Sequence, residues 1–272
     1  MLSSDILSVV TFVYGLAFLL FILHLLFKRD ALSVAGDVVV SAGCIAHGAA
    51  LILRWIESYR LGWGHVPMSN LYESLIFFSF LLAVVYLVFR FATNRKSFGA
   101  FMIPLPLLAL GYASLSPDVE RAIRPLVPAL QSNWLTIHVL TCFIAYAAFA
   151  FSFVVAVLFL INKEGKKSVL PSPEVLDEFV YRGIMAGMPL LTLGIITGSA
   201  WAHYAWGSYW SWDPKETWSL ITWIIYALFL HLRLMGRWRG TKSALLSMVG
   251  FFAVIFTFLG VNYILSGLHS YL

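Results

Sequence analysis

Charge is scarce in this sequence. Of 272 residues, 11% are Asp, Glu, Lys or Arg and 61% are hydrophobic, which excludes an ordinary soluble domain, where roughly a quarter of residues are charged. No polar stretch is long enough to fold separately, so residues 1–272 read as one integral membrane domain. Cysteine is nearly missing. Cys44 and Cys142 each stand alone inside an apolar run, with no Cys-x-x-Cys. That argues against a dithiol oxidoreductase or a thiolate metal site, and both read as small buried hydrophobes. A glycine-rich phosphate loop, a Ser-His-Asp set and paired carboxylates are also lacking, so nothing points to phosphoryl transfer or hydrolysis. The net charge of +5 fits membrane topology and anionic head groups, and no nucleic acid is implied.

Long apolar runs fill the space that charge leaves. Eight are long enough to span lipid, at roughly 6–27, 34–53, 71–91, 98–115, 134–161, 183–203, 214–234 and 243–265. The fourth is interrupted by Pro104 and Pro106. The fold class expected is therefore all-α, a polytopic bundle of about eight transmembrane helices. Lys28 and Arg29 follow the first run instead of preceding it, and no small-residue cleavage site stands out, so that span is expected to be retained. Thirteen of the eighteen Lys and Arg fall in alternate connections, around 28–29, 90–96, 163–182 and 233–242. By the positive-inside tendency, both termini lie on the non-cytoplasmic side.

One connection breaks the pattern of short polar loops. Trp206-Gly-Ser-Tyr-Trp210-Ser-Trp212-Asp213-Pro-Lys-Glu-Thr-Trp218 holds four of the ten tryptophans. Asp213, Pro214 and Glu216 form a helix start: N-cap, first-turn proline and capping-box glutamate. An interfacial aromatic belt accounts for any one of these tryptophans. Four at this spacing, closed by an N-cap, predict a flat aromatic shelf that binds a large flat apolar ligand. Elsewhere, Asn70 and Glu73 stand at capping-box spacing before the third span. Residues 116–133 form a proline-containing loop with little signal, and 162–182 read as a solvated linker. Gly194-x-x-x-Gly198 suits close helix packing.

Ionisable groups inside spans are rare and tend to be functional, which draws attention to the histidines. His138 lies one turn after Trp134 at the start of the fifth span, and His269 lies just past the eighth, at equal depth beside the aromatic loop. His231 and His24 share the opposite depth. His47 lies in the second span, and His65 and His203 lie in or beside connections. A lone histidine of this kind usually makes interfacial hydrogen bonds. A pair at one depth beside a tryptophan shelf reads better as axial ligands of haem iron.

The 206–218 stretch resembles the tryptophan-rich WWD signature of the haem-handling membrane proteins of cytochrome c maturation, which include CcmC and CcmF. Pro67-Met-Ser-Asn-Leu-Tyr-Glu-Ser74, Trp134-Leu-Thr-Ile-His138, Leu230-His-Leu-Arg233 and Gly267-Leu-His-Ser-Tyr271 are similar to the CcsA (ResC-type) branch, and eight spans suit that branch. The resemblance covers nearly the whole chain. It implies a subunit of a two-component cytochrome c synthase, with haem b as cargo held beneath the loop (about 204–218) by His138 and His269. It further implies His231 as ligand to haem on its way out, with His24 as an alternative partner of His231. Trp206, Trp210, Trp212, Asp213 and Trp218 would hold the porphyrin. Partners implied are a CcsB-type membrane subunit, an apocytochrome c with Cys-x-x-Cys-His, and a thiol-reducing pathway, in a bacterial plasma membrane or a thylakoid. Three alternatives stay open: a CcmC-like protein that hands haem to a chaperone, a cytochrome b-type electron carrier, and a non-haem transporter or scaffold.

Overall fold

Apolar spans leave the backbone without water to bond, so each must satisfy its own N–H and C=O groups, and helices do so. The computed structural model describes residues 2–93, 95–166 and 170–265, apart from the Asn262 side chain. Among these, eight helices are long and apolar enough to cross a membrane. They are α1 (Leu2–Phe27), α2 (Asp30–Arg60), α3 (Leu71–Thr93), α4 (Lys96–Leu115), α5 (Asn133–Ile161), α6 (Pro173–Trp206), α7 (Pro214–Leu234) and α8 (Thr241–Gly260). All regular structure among the described residues is helical, and the expected all-α class holds.

The described chain packs as two compact units, 1–127 and 128–272. In the first, α1 packs chiefly on α2, and α3 on α4. Pro104 and Pro106 do not end α4. They fall at the start of its second section, where a missing N–H costs nothing. Two buried ion pairs brace this unit. Arg54 meets Glu73 at 3.0 Å with both side chains at 0% exposure, and Arg90 meets Asp37 at 2.8 Å. Glu73 does more than cap. Its other oxygen accepts from the Ser69 amide at 2.9 Å, while its own amide donates to Asn70 Oδ1. Arg54 also donates to the Arg121 carbonyl at 3.0 Å, and His65 Nε2 lies 2.9 Å from the Arg124 carbonyl. The loop without sequence signal is thus tied down by buried donors.

In the second unit, α5 and α6 make the most extensive contact, and α8 packs on α5 and α7. The expected linker over 162–182 is only partly one. Helix α6 begins at Pro173, and Asp177 within its first turns is buried against Arg233 at 2.6 Å. Hydropathy hides such a turn because its charges are paired inward. At its other end α6 runs on to Trp206 and stops at Gly207, whose φ of 77° is the left-handed cap.

Candidate functional site

The predicted start of α7 at Pro214 is present in full. Asp213 accepts from the Lys215 amide at 2.9 Å, and Glu216 completes a capping box. Glu216 also organises the loop before it. Its Oε2 accepts from the Ser211 amide at 2.7 Å, the Ser211 hydroxyl at 3.2 Å and the Asp213 amide at 3.2 Å. Both carboxylates are therefore committed to loop geometry. Ser199 Oγ holds the Tyr209 carbonyl at 2.8 Å, and the Tyr209 ring stacks on His203 at 4.2 Å and 7°. Residues 207–213 form a fixed platform.

That platform is not the expected flat shelf. The rings of Trp210 and Trp212 meet edge to face at 5.7 Å and 90°. Trp212 sits at φ 60°, a conformation strained for a bulky side chain, and is 69% exposed. Trp206 and Trp218 belong elsewhere. Trp206 packs on Trp201 at 4.9 Å, and Trp218 packs on Phe256 of α8 at 4.3 Å.

Trp201 in turn lies nearly parallel to the His138 ring, at 6.0 Å and 17°. His138 Nδ1 is 2.7 Å from the Gly194 carbonyl. A carbonyl oxygen can only accept, so Nδ1 carries a proton, and in the neutral ring Nε2 keeps its lone pair. Gly198 makes the approach possible, and Gly194 makes room for Cys142 beside it. A Cβ at Gly198 would stand 2.6 Å from His138 Nδ1, and one at Gly194 would stand 2.5 Å from Cys142 Sγ. The pair expected to serve packing alone forms the seat of the candidate ligand. Trp201, Gly194, Gly198 and Glu216 carry the site without having been singled out for it. The signal was there, since Gly194, Gly198 and Trp201 share a helix face at spacings of four and three residues. His269 lies outside the described residues.

His231 is at the far end of α7, seventeen residues from Pro214 and so about 25 Å along the axis. It is exposed, in a stripe with Ile224, Leu228 and Met235. His24 is half-buried, with Nδ1 3.0 Å from the Arg29 carbonyl. His47 is fully buried, 3.3 Å from the Tyr14 hydroxyl.

The profile of the cytochrome c assembly protein family matches residues 68–269, which contain the loop and all three proposed iron ligands. The chain belongs to this family, on its CcsA branch. It is 44% identical over 232 residues to the cytochrome c biogenesis protein CcsA of Chlamydomonas reinhardtii, covering 81% of this chain and 64% of that one. It is 42% identical to CcsA of Trieres chinensis, covering 80% of each. Identity to CcsA of Porphyra purpurea is 36%, over 97% of this chain and 96% of that one. Among solved structures, the cytochrome c heme lyase CcmF shares the fold, with a TM-score of 0.73 at 17% identity, covering 94% of this chain and 46% of that chain. Membership of the CcsA branch places the chain in cytochrome c biogenesis.

Proposed function

We propose that this CcsA-type chain holds haem beneath the tryptophan loop and presents it for covalent attachment to an apocytochrome c. The observation that carries the reading is the His138 ring. Its Nδ1 is engaged by a backbone carbonyl, the usual arrangement of a metal-ligating histidine, and its Nε2 is left to bind iron. Gly198 admits the ring, and the Trp201 ring lies nearly parallel to it. His269 is the second ligand in this reading. Trp210 and Trp212 then hold the porphyrin edge and face, for which their polarisable rings are suited.

Haem, as cargo, brings the reactive vinyl groups, and the chain supplies position. Each thiol of a Cys-x-x-Cys-His segment adds across one vinyl group. A C–S bond forms, the thiol proton ends on the neighbouring carbon, and no oxidant is consumed. The incoming histidine replaces one of the chain's ligands. Asp213 and Glu216 are engaged by loop amides and hydroxyls, so proximity and orientation supply the rate instead of a loop carboxylate base. A thiol-reducing pathway keeps the cysteines free. His231, with a CcsB-type subunit, would hold haem at the opposite depth. The loop faces the non-cytoplasmic side of a bacterial plasma membrane or a thylakoid.

Co-expression with a CcsB-type subunit and an apocytochrome c, scored for covalent haem, tests this. Attachment that His138→Ala abolishes is expected. Haem-loaded protein that attaches none would favour hand-over to a chaperone.

A further inference from the structure

The end of α7 carries two unlike residues two positions apart. His231 is exposed, and Arg233 is buried. On a helix two residues are separated by roughly 200°, so opposite faces are expected. The exposed face is the apolar stripe of Ile224, Leu228, His231 and Met235, at spacings of four, three and four. The buried face is fixed by a carboxylate. Asp177 Oδ2 accepts from Arg233 Nη1 at 2.6 Å, and Asp177 Oδ1 accepts from the Gly240 amide at 2.7 Å. Arg233 also lies over the Tyr181 ring at 5.2 Å and reaches the Trp238 carbonyl at 3.3 Å. Ser243 Oγ bonds that same carbonyl at 3.1 Å. One carboxylate therefore ties α6 to the end of α7 and to the turn that opens α8.

We propose that the Asp177–Arg233 pair is a positioning device that sets the rotation of the α7 end and so aims His231 outward from the second unit. The physical argument is one of alternatives. Rotating α7 to bring His231 inward would expose Arg233 and leave Asp177 buried without its cation, which is strongly unfavourable. Rotating it by a smaller angle would break the 2.6 Å contact and loosen the Gly240 turn. A histidine in an exposed apolar stripe of a spanning helix is itself costly, so the fold holds it there by a buried pair on the opposite face. Asp177 and Arg233 never touch the cargo. They act through the helix.

The inference rests on His231 being an iron ligand, and the test separates the two. The full chain is co-expressed with its CcsB-type subunit in a His138→Ala background, so that the remaining haem spectrum reports the inner site. In that background His231→Gly removes the low-spin haem signal. Asp177→Asn keeps the size but not the charge, and lowers His231-dependent haem by roughly 10-fold, the scale seen when a partner that orients a metal-bound histidine is lost. Asp177→Glu retains it, and added imidazole restores the low-spin spectrum of Asp177→Asn. Where Asp177→Asn does not accumulate, Arg233→Lys, which keeps charge but loses the fork, is read in the same way. Wild-type low-spin haem in Asp177→Asn, with the signal still lost in His231→Gly, overturns the positioning role alone. Unchanged haem in His231→Gly overturns the ligation and the inference with it.

Discussion

His138 and Gly194 meet across 2.7 Å, the imidazole Nδ1 donating to a carbonyl on the neighbouring helix. The contact has room because position 198 carries no side chain. It sets the tautomer, and with Trp201 it sets the ring plane. Gly198→Ala would place a methyl 2.6 Å from Nδ1 and force the ring away. Haem attachment is expected to fall roughly 10-fold, as for loss of an orienting partner, with the protein still inserted. Gly111→Ala is the control. Its methyl would meet Thr11 at an ordinary 3.8 Å, and attachment should stay at the wild-type level.

Trp212 offers a separation of function from stability. Its φ of 60° costs about 1–2 kcal/mol in an L-residue with a side chain, and glycine would remove that cost. Trp212→Gly is expected to melt no lower than wild type and to attach no haem. A thermal melt in detergent beside a covalent-haem stain reads both. A Trp212→Gly variant with normal attachment would make the ring a membrane anchor.

Glu216→Ala removes the acceptor for three donors in 211–213. Leaving such donors unmet costs about 1–3 kcal/mol for each buried one. The loop should become cleavable by protease in sealed membranes of suitable orientation while α7 remains inserted, and attachment should fall. Protection equal to wild type would mean that the His203–Tyr209 stack and the Ser199 contact hold the loop unaided.

Much of this was legible in the sequence, and the losses have physical causes. Eight spans, the Asp213–Pro214–Glu216 helix start and the Asn70–Glu73 cap follow from apolar length and capping chemistry, which are local. The 173–182 turns were missed because Asp177 is neutralised by a residue 56 positions away, and a composition window cannot see pairing at that distance. The flat shelf failed because Trp210 and Trp212 meet edge to face, while Trp206 packs on Trp201 and Trp218 on Phe256. Aromatic content says nothing of ring orientation. Gly194 and Gly198 were legible as a close-contact pair, but what approaches them is Cys142 at Gly194 and His138 at Gly198, both on another helix.

The buried pair of the first unit predicts an asymmetry. Arg54→Met leaves Glu73 charged at 0% exposure, and breaking such a pair costs about 3–5 kcal/mol. The double variant Arg54→Met with Glu73→Met should recover part of that loss, since no lone charge remains. Steady-state protein in the membrane and the melting temperature in detergent measure it. Equal losses in the single and double variants would mean that the Arg121 carbonyl contact, not the ion pair, is what matters.

The central claim, that His138 ligates haem under the tryptophan loop, is tested most directly by one spectrum. The His138→Gly variant, co-expressed with its partner subunit and purified with and without imidazole, is read by visible absorption. The account predicts reduced haem and an altered Soret band without imidazole, and recovery of the wild-type low-spin spectrum with it, because the cavity on Gly194 and Gly198 accepts the small ligand. A His138→Gly protein with wild-type haem content and an unchanged, imidazole-insensitive spectrum would contradict it.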